Sequence, residues 1–585
     1  MGSSRPRSDS APTRPSQSIP PWNSRRPLQS PRRPGIKTAL FALAVALGAP
    51  AAAQVYYVDD SAAGANDGTS WQDAFTDLQS ALAVAGPSDE IWVATGVYKP
   101  SASLDRSATF EIDCAVYGGF DGTETSLAAR AGLFDQTILS GDLLGNDGPD
   151  FAGNEENSAH VATVPDVLFA LSLLDGFTIQ GGNADLSAYP GRSGGGLWVA
   201  YFAFWAVARN CTFRGNYASG AGGAIASQGK GPLTIERCTI LGNRSRFHAG
   251  GVAGGAGTLV KSSFFLGNRA GTDGGGLYFA DTAVDCVFSG NIAGGAGGGA
   301  VYTASISGCT FSANTATTAG GFRAGFPWSL YPVSNSILWG NDDATGSTLR
   351  GQIGGNLRLD DCVVEGWDGS IPGVGTIGSD PLFQSPLGPD GIAGTLDDDL
   401  GLRRGSPCVD TANGWAYPGL GIDALGRDRY VDSLACDDLG SLDLDRGAIE
   451  RQVVDGATEF CDATPSSLGL PARIGGDCIA RISDGPFRVS AQPVPDGRAF
   501  LLVGSPGPAQ PFGDGNLCLS GSFASLGPVA PSGGSAMFAI DPAQPPASQL
   551  FVPGASIGLQ VLFRDPAAGG TGFNLSSAMQ FVALP

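Results

Sequence analysis

Short runs of alternating apolar and polar residues recur along most of this chain, and a helical period is almost absent. The clearest run is "CTFRGN" at Cys211, followed by "CTILGN" at Cys238, "SFFLGN" at Ser263, "CVFSGN" at Cys286, "CTFSAN" at Cys309, "SILWGN" at Ser336 and a worn "CVVEGW" at Cys362. The spacings are 27, 25, 23, 23, 27 and 26 residues. Between these blocks lies a glycine-rich one, as in "GGGLW" at Gly194, "GGAI" at Gly222, "GGGLY" at Gly274 and "GGGAVY" at Gly297. Fainter copies extend upstream as "TILSGD" at Thr137 and "FTIQGG" at Phe177. A repeat of this length with two short β-type blocks predicts one coil of a parallel β-solenoid. In each copy the Cys/Ser position and the apolar residue two later (Phe213, Ile240, Phe265, Phe288, Phe311, Leu338) share a strand face, which should point inward. The Asn closing each strand is expected to adopt a left-handed backbone readily and to hydrogen-bond the Asn of neighbouring coils. The glycines then mark stacked corners rather than a linker. Six steps of this repeat would climb ~29 Å at roughly 4.8 Å per coil, with right-handed crossovers.

Two regions depart from the repeat. Trp71, Ala74, Phe75, Leu78 and Leu82 fall on one helical face after Thr69 and Ser70, with Asp73 in the first turn. This predicts a helix, N-capped at Thr69/Ser70, that covers the first coil. From about Thr458 the strands "FRVSAQ", "RAFLLVG", "NLCLSG", "AMFAID" and "IGLQVLFRD" alternate with Pro/Gly turns, which predicts a small β-sandwich. The expected organisation is a leader over 1–53, a β-helix over 54–455 and a C-terminal module over 456–585.

Composition agrees: 89 Gly, 39 Pro, 15% charged and 42% hydrophobic residues favour strands and turns with an ample core. The leader is different material. Eight Arg/Lys residues face one acid, Asp9; an apolar run follows from Thr38 to Leu47, and then Ala51-Ala52-Ala53. This is the layout of a secretory signal peptide cut after Ala53, and the run is too short to anchor in a bilayer. Its removal deepens the formal net charge from −21 to about −28, which argues against nucleic acid as a partner. No later segment reaches transmembrane length. Export makes disulfides permissible for the 11 cysteines, an odd count.

The alternating "GGA[IV]" and "CxFxxN" blocks resemble the repeats of polymorphic outer-membrane proteins, within the pectate-lyase-like right-handed parallel β-helices. The opening "YYVDDSAAGANDGTSWQDAFTDLQSALAVA" and the segments "NSAHVATV" and "DRGAIE" look like the start and close of such secreted bacterial proteins. The C-terminal module resembles those appended to secreted β-helix proteins, and it is too short for the membrane barrel of an autotransporter. The resemblance implies an all-β fold and a place outside the cell or on its outer surface. It implies no particular activity, because one fold hosts many functions.

Candidate chemistry is sparse. The inward column Cys211, Cys238, Cys286, Cys309 and Cys362 reads as stacked buried thiols, since stacked coils hold Cβ atoms wider than a disulfide prefers. Better disulfide candidates are Cys408 with Cys436, and a pair among Cys461, Cys478 and Cys518. The only histidines, His160 and His248, sit in no catalytic motif, and no Cys/His spacing suggests zinc. A β-helix lyase would need a basic residue as base with aspartate-held calcium; Arg244, Arg246, Lys261 and Arg269 cluster, with few acids nearby. Two oxygen-rich loops suit a hard cation: Asp142, Asp147 and Asp150 in "DLLGNDGPDFAGNEEN", and Asp390, Asp397 and Asp399 in "GPDGIAGTLDDD". Calcium is the cofactor they could hold, though the fold requires none. The uncharged "LWVAYFAFWAVA" (Leu197–Ala208) reads as core, with sugar stacking as the alternative. The expected role is structural, adhesive or glycan-binding, with polysaccharide or envelope components as partners. The alternative is a polysaccharide lyase or glycosidase, which an acid cluster beside an arginine in a groove would favour.

Overall fold

The computed structural model describes residues 53–451 and 458–582, apart from 167–170, 188–190, 204, 230, 326–328, 347, 404–405, 415–418, 420, 428, 430–443, 462, 469–470, 477–485, 496, 533, 546, 553 and 567–570. The leader up to residue 52, Cys436 and Cys478 lie outside the described residues.

Three ladders of parallel strands, with 18, 10 and 7 members, stack along the chain. The coil that starts at Ile225 shows the plan. Ile225–Ser227 and Leu233–Glu236 belong to the first ladder, Thr239–Leu241 to the second and Arg244–Ser245 to the third. Each pairs in parallel with its counterpart one coil on: Ile225 with Val252, Ile235 with Val260, Ile240 with Phe265 and Ser245 with Ala270. The fold is a right-handed parallel β-helix, the hand that parallel crossovers take. Strand alternation decides what lies inside: Cys238 and Ile240 are buried, while Thr239 and Leu241 are only partly so. Phe213, Ile240, Phe265, Phe288, Phe311 and Leu338 pair in the register that the spacing predicts, and all are buried in one core. Phe288 stacks on Phe265 and Phe311 with ring centroids at 4.7 and 4.5 Å. Each such ring contributes about 1.5–3 kcal/mol by its removal from water.

The Asn ladder forms, but its backbone differs from expectation. The left-handed residue is the one before each Asn: Gly290 has φ +63°, and Ala313 at the equivalent place has φ +53°. That kink leaves the Asn side chain inside the coil as a connector. The Asn243 backbone N–H and Nδ2 both donate to Asn268 Oδ1, at 3.1 and 3.0 Å, and Nδ2 also donates to the Phe213 carbonyl at 2.8 Å. The pattern repeats from Asn216 to Asn341, where Gln352 Oε1 takes over as acceptor. Elsewhere the glycines serve close approach: a Cβ on Gly298 would stand 2.5 Å from the Gly320 carbonyl oxygen of the next coil.

The N-terminal helix is shorter than its periodicity predicts, covering only Leu78–Leu82 with Asp77 as N-cap. Asp73 is the reason. Its carbonyl accepts the Asp67 and Gly68 amides and its carboxylate accepts the Ala65 amide, so it ties down a loop instead of starting a helix. Phe75 forms a parallel bridge with Val58, and Ser70 Oγ accepts the Asp73 amide and donates to its carboxylate in a turn ahead of the helix. Leu78 and Ala81 still bury into the core of the first coils.

After Val364 the ladders stop and a closing segment lies over the outer face of the second one. Leu400, Leu402, Cys408, Ala424, Ala448 and Ile449 pack there on Leu266, Val287, Ile337 and Val363. The C-terminal module is two antiparallel sheets of five and three strands that share a core including Phe487, Val489, Phe538, Leu501 and Phe581. A disulfide joins Cys461 to Cys518, with Cα atoms 6.2 Å apart.

Candidate functional site

The loop that begins at Asp142 follows the strand Thr137–Ser140 and walls one side of an open cleft of about 500 Å³. Asp142, Asp147, Asp150, Phe151 and Asn154 face Gln180, Arg214 and Leu241 across it. The Asp142 carboxylate accepts the Gly145, Asn146 and Asp147 amides, and so folds its own loop. Both Asp147 carboxylate oxygens accept from Asn157 Nδ2, at 3.0 and 2.8 Å. Burial pushes the Asp147 carboxyl up to about 6, and Asp142 and Glu156 add to the rise. Arg214 Nε donates to Gln180 Oε1 at 2.9 Å. An arginine and three acids thus share a groove, the feature named above for an enzyme.

The second acidic loop closes on itself. Asp390 Oδ1 accepts the Ile392 amide, Asp397 accepts the Asp390 amide and the Thr395 hydroxyl, and Asp399 Oδ1 accepts the Gly401 amide. Among the described residues, the acids that converge within 4.8 Å are Asp410, Asp445 and Glu450, within the closing segment. The cation there is a side chain: fully buried Arg429 stands 3.5 Å from Asp285 of the coil and 3.6 Å from Glu450. Its Nη2 also donates to the Asp445 and Gly447 carbonyls. Burial, with Asp445 beside it, pushes the Glu450 carboxyl up to about 10, and burial raises Asp445 to about 6. In the sequence, "DRGAIE" reads only as a closing motif. Its acids meet an arginine and a coil corner distant in sequence, which no local pattern announces.

The stacked thiols of the Cys column are free and buried, and Cys238 and Cys286 have their thiols pushed well up by burial, which makes them unreactive. Cys211 Sγ spends its proton on the Arg209 and Leu174 carbonyls. Cys408 is buried and unbridged to any described cysteine. His160 Nδ1 contacts the Gly194 carbonyl at 2.8 Å, and burial lowers the ring's proton affinity. His248 stacks on Tyr278 at 4.4 Å; its Nδ1 meets both Thr272 Oγ1 (2.8 Å) and Asp273 (3.7 Å). One nitrogen serves both, so the ring cannot relay a proton between them. Arg244 and Arg269 pair in the third ladder, whereas Lys261 lies in the first, so the basic cluster divides between two faces.

The aromatic segment divides too. Leu197, Trp198, Val199, Ala206 and Ala208 are buried in ladder strands, but Tyr201, Phe202 and Trp205 are 38, 51 and 54% exposed on the turn between them. Tyr201 and Phe202 meet edge to face at 4.7 Å, and Trp205 has φ +63°, a costly conformation for a bulky residue.

The Chlamydia polymorphic membrane protein (Chlamydia_PMP) repeat matches residues 210–228, part of one coil. No curated protein matches the chain. Among solved structures, the crystal structure of pectate lyase Pel9A is similar over 68% of this chain and 96% of its own, at 12% identity and a TM-score of 0.35. The assignment as a β-helix rests on the three parallel ladders themselves. Among the described residues no helix is long and apolar enough to cross a membrane.

Proposed function

We propose that the chain is a secreted or cell-surface β-helix that binds a glycan and holds it without cleaving it. The carrying observation is the exposed aromatic turn Tyr201–Phe202–Trp205, mounted on buried ladder strands. Aromatic rings on a rigid base present flat apolar surface at little entropic cost, which suits the apolar face of a sugar ring. The match to a membrane-protein repeat and the strongly acidic chain support a place at the cell exterior. The thiols and His160 are locked in packing roles, which supports binding over catalysis.

A second reading has its own observation. Asp147 and Arg214 line the same cleft, and a carboxyl raised to about 6 is what acid–base cleavage of a glycan would use. Offering the purified chain a panel of acidic and neutral polysaccharides separates the two. Binding without chain shortening, weakened about tenfold (about 1.4 kcal/mol) by Trp205→Ala, is expected. Shortening that Asp147→Asn abolishes and Trp205→Ala spares would replace the binding reading with the enzymatic one.

A further inference from the structure

Beneath the cleft loop, several buried oxygens face no donor. Asn157 and Ser158 are fully buried and Asn183 is 2% exposed, yet Asn157 Oδ1, Ser158 Oγ and Asn183 Oδ1 have no hydrogen-bond partner, and neither does Glu156 Oε1. A buried acceptor without a donor costs about 1–3 kcal/mol, so four together need an explanation. Backbone contacts join the two segments that carry them. The Asn157 amide and Asn183 Nδ2 share the Asn154 carbonyl, the Asn183 amide bonds the Ser158 carbonyl, and Arg106 donates to the carbonyls of both asparagines. The amide nitrogens are already used, Asn157 Nδ2 on Asp147 and Asn183 Nδ2 on Asn154, so turning either amide over would exchange one unpaired atom for a lost bond. The surroundings are acidic: Asp142, Asp147, Asp150, Glu155 and Glu156 lie in one short stretch, and Arg106 is already paired with Asp185 at 2.5 Å.

We infer that Glu156, Asn157, Ser158 and Asn183, with Asp147 beside them, form a site for a hard divalent cation, calcium by preference, which pins the cleft loop to the adjacent coil. Oxygen-only donors of mixed charge in a turn-rich loop favour calcium, which accepts irregular geometry, over magnesium, which demands an octahedron. The site differs from a grouping of the loop's aspartates. Asp142 folds its own loop and Asp147 already accepts from Asn157, so the buried unpaired oxygens of Glu156, Asn157, Ser158 and Asn183 supply what the loop's aspartates lack. The inference does not depend on what, if anything, the cleft above it binds.

The test is calorimetric titration of the chelator-treated full chain with calcium, and with magnesium for comparison, alongside thermal melts with and without calcium. Saturable calcium binding, a melting temperature several degrees higher in calcium and at least tenfold weaker binding in Glu156→Gln are expected. Asp397→Asn, in the other acidic loop, should leave binding unchanged. Absence of calcium-dependent heat and of any melting shift in the unaltered chain would overturn the inference and leave the pocket to water. So would binding that Asp397→Asn removes and Glu156→Gln spares. Should Glu156→Gln fail to fold, the titration and melts of the unaltered chain decide.

Discussion

The asparagines at the end of each repeat strand carry more of the fold than their polarity suggests. Asn268 accepts from the Asn243 N–H and Nδ2, and donates to Asn291 and to the Ile240 carbonyl. Asn268→Ala would leave buried donors and acceptors unpaired in three coils, so a loss of roughly 3 kcal/mol is expected in denaturant melts. The preceding glycine gives a graded comparison. Gly215 (φ +59°) has nothing within 4 Å of a built Cβ, so Gly215→Ala should cost only the left-handed backbone, roughly 1–2 kcal/mol, as Ala313 already does in its own coil. At Gly290 the same Cβ would lie 2.3 Å from the Ala393 carbonyl oxygen of the closing segment, so Gly290→Ala should cost clearly more. Equal losses at the two sites would contradict the placement of that segment.

At the scale of elements, the strands were legible because period-two alternation and a 23–27-residue repeat act together, and the register of Phe265, Phe288 and Phe311 follows from spacing alone. Phe288 lies between two stacked rings in a dry core, so Phe288→Ala should cost about 3–5 kcal/mol in the same melts. The N-terminal helix was half legible. Its apolar spacing is real, but Asp73 serves the Ala65–Gly68 loop and the helix waits for Asp77. The closing segment was legible as a boundary and not as a lid, because its contacts with Leu266 and Val287 join residues more than a hundred positions apart. Separation in sequence also hid Asn183 from the loop it meets, 29 residues from Asn154, and Arg214 from the cleft it shares with Asp147. The aromatic segment could not be divided from its sequence, since strand and turn residues there are equally apolar.

For the whole molecule, the link between β-helix and closing segment is electrostatic as well as apolar, and it is pH-dependent. Arg429 meets Asp285, and Glu450 beside it holds its proton to about 10 in the folded chain, against an ordinary value near ~4.3 when unfolded. Folding therefore takes up a proton between those limits, so this group's contribution weakens as pH rises from about 5 toward 10. Asp445, raised to about 6, acts in the same direction at the acidic end. Glu450→Gln, which keeps the shape without the charge, should flatten the fall in stability between about pH 5 and about pH 9, read by urea melts. A fall as steep as in the unaltered chain would show that Glu450 is ionised when folded.

On the proposed reading, this β-helix holds a glycan through its aromatic turn and does no chemistry on it. The most direct measurement follows one incubated sample for both retained glycan and glycan chain length, across acidic and neutral polysaccharides. Retention should fall about tenfold in Trp205→Ala, with chain length unchanged in every case. Progressive shortening of any member of the panel, lost in Asp147→Asn, would contradict it.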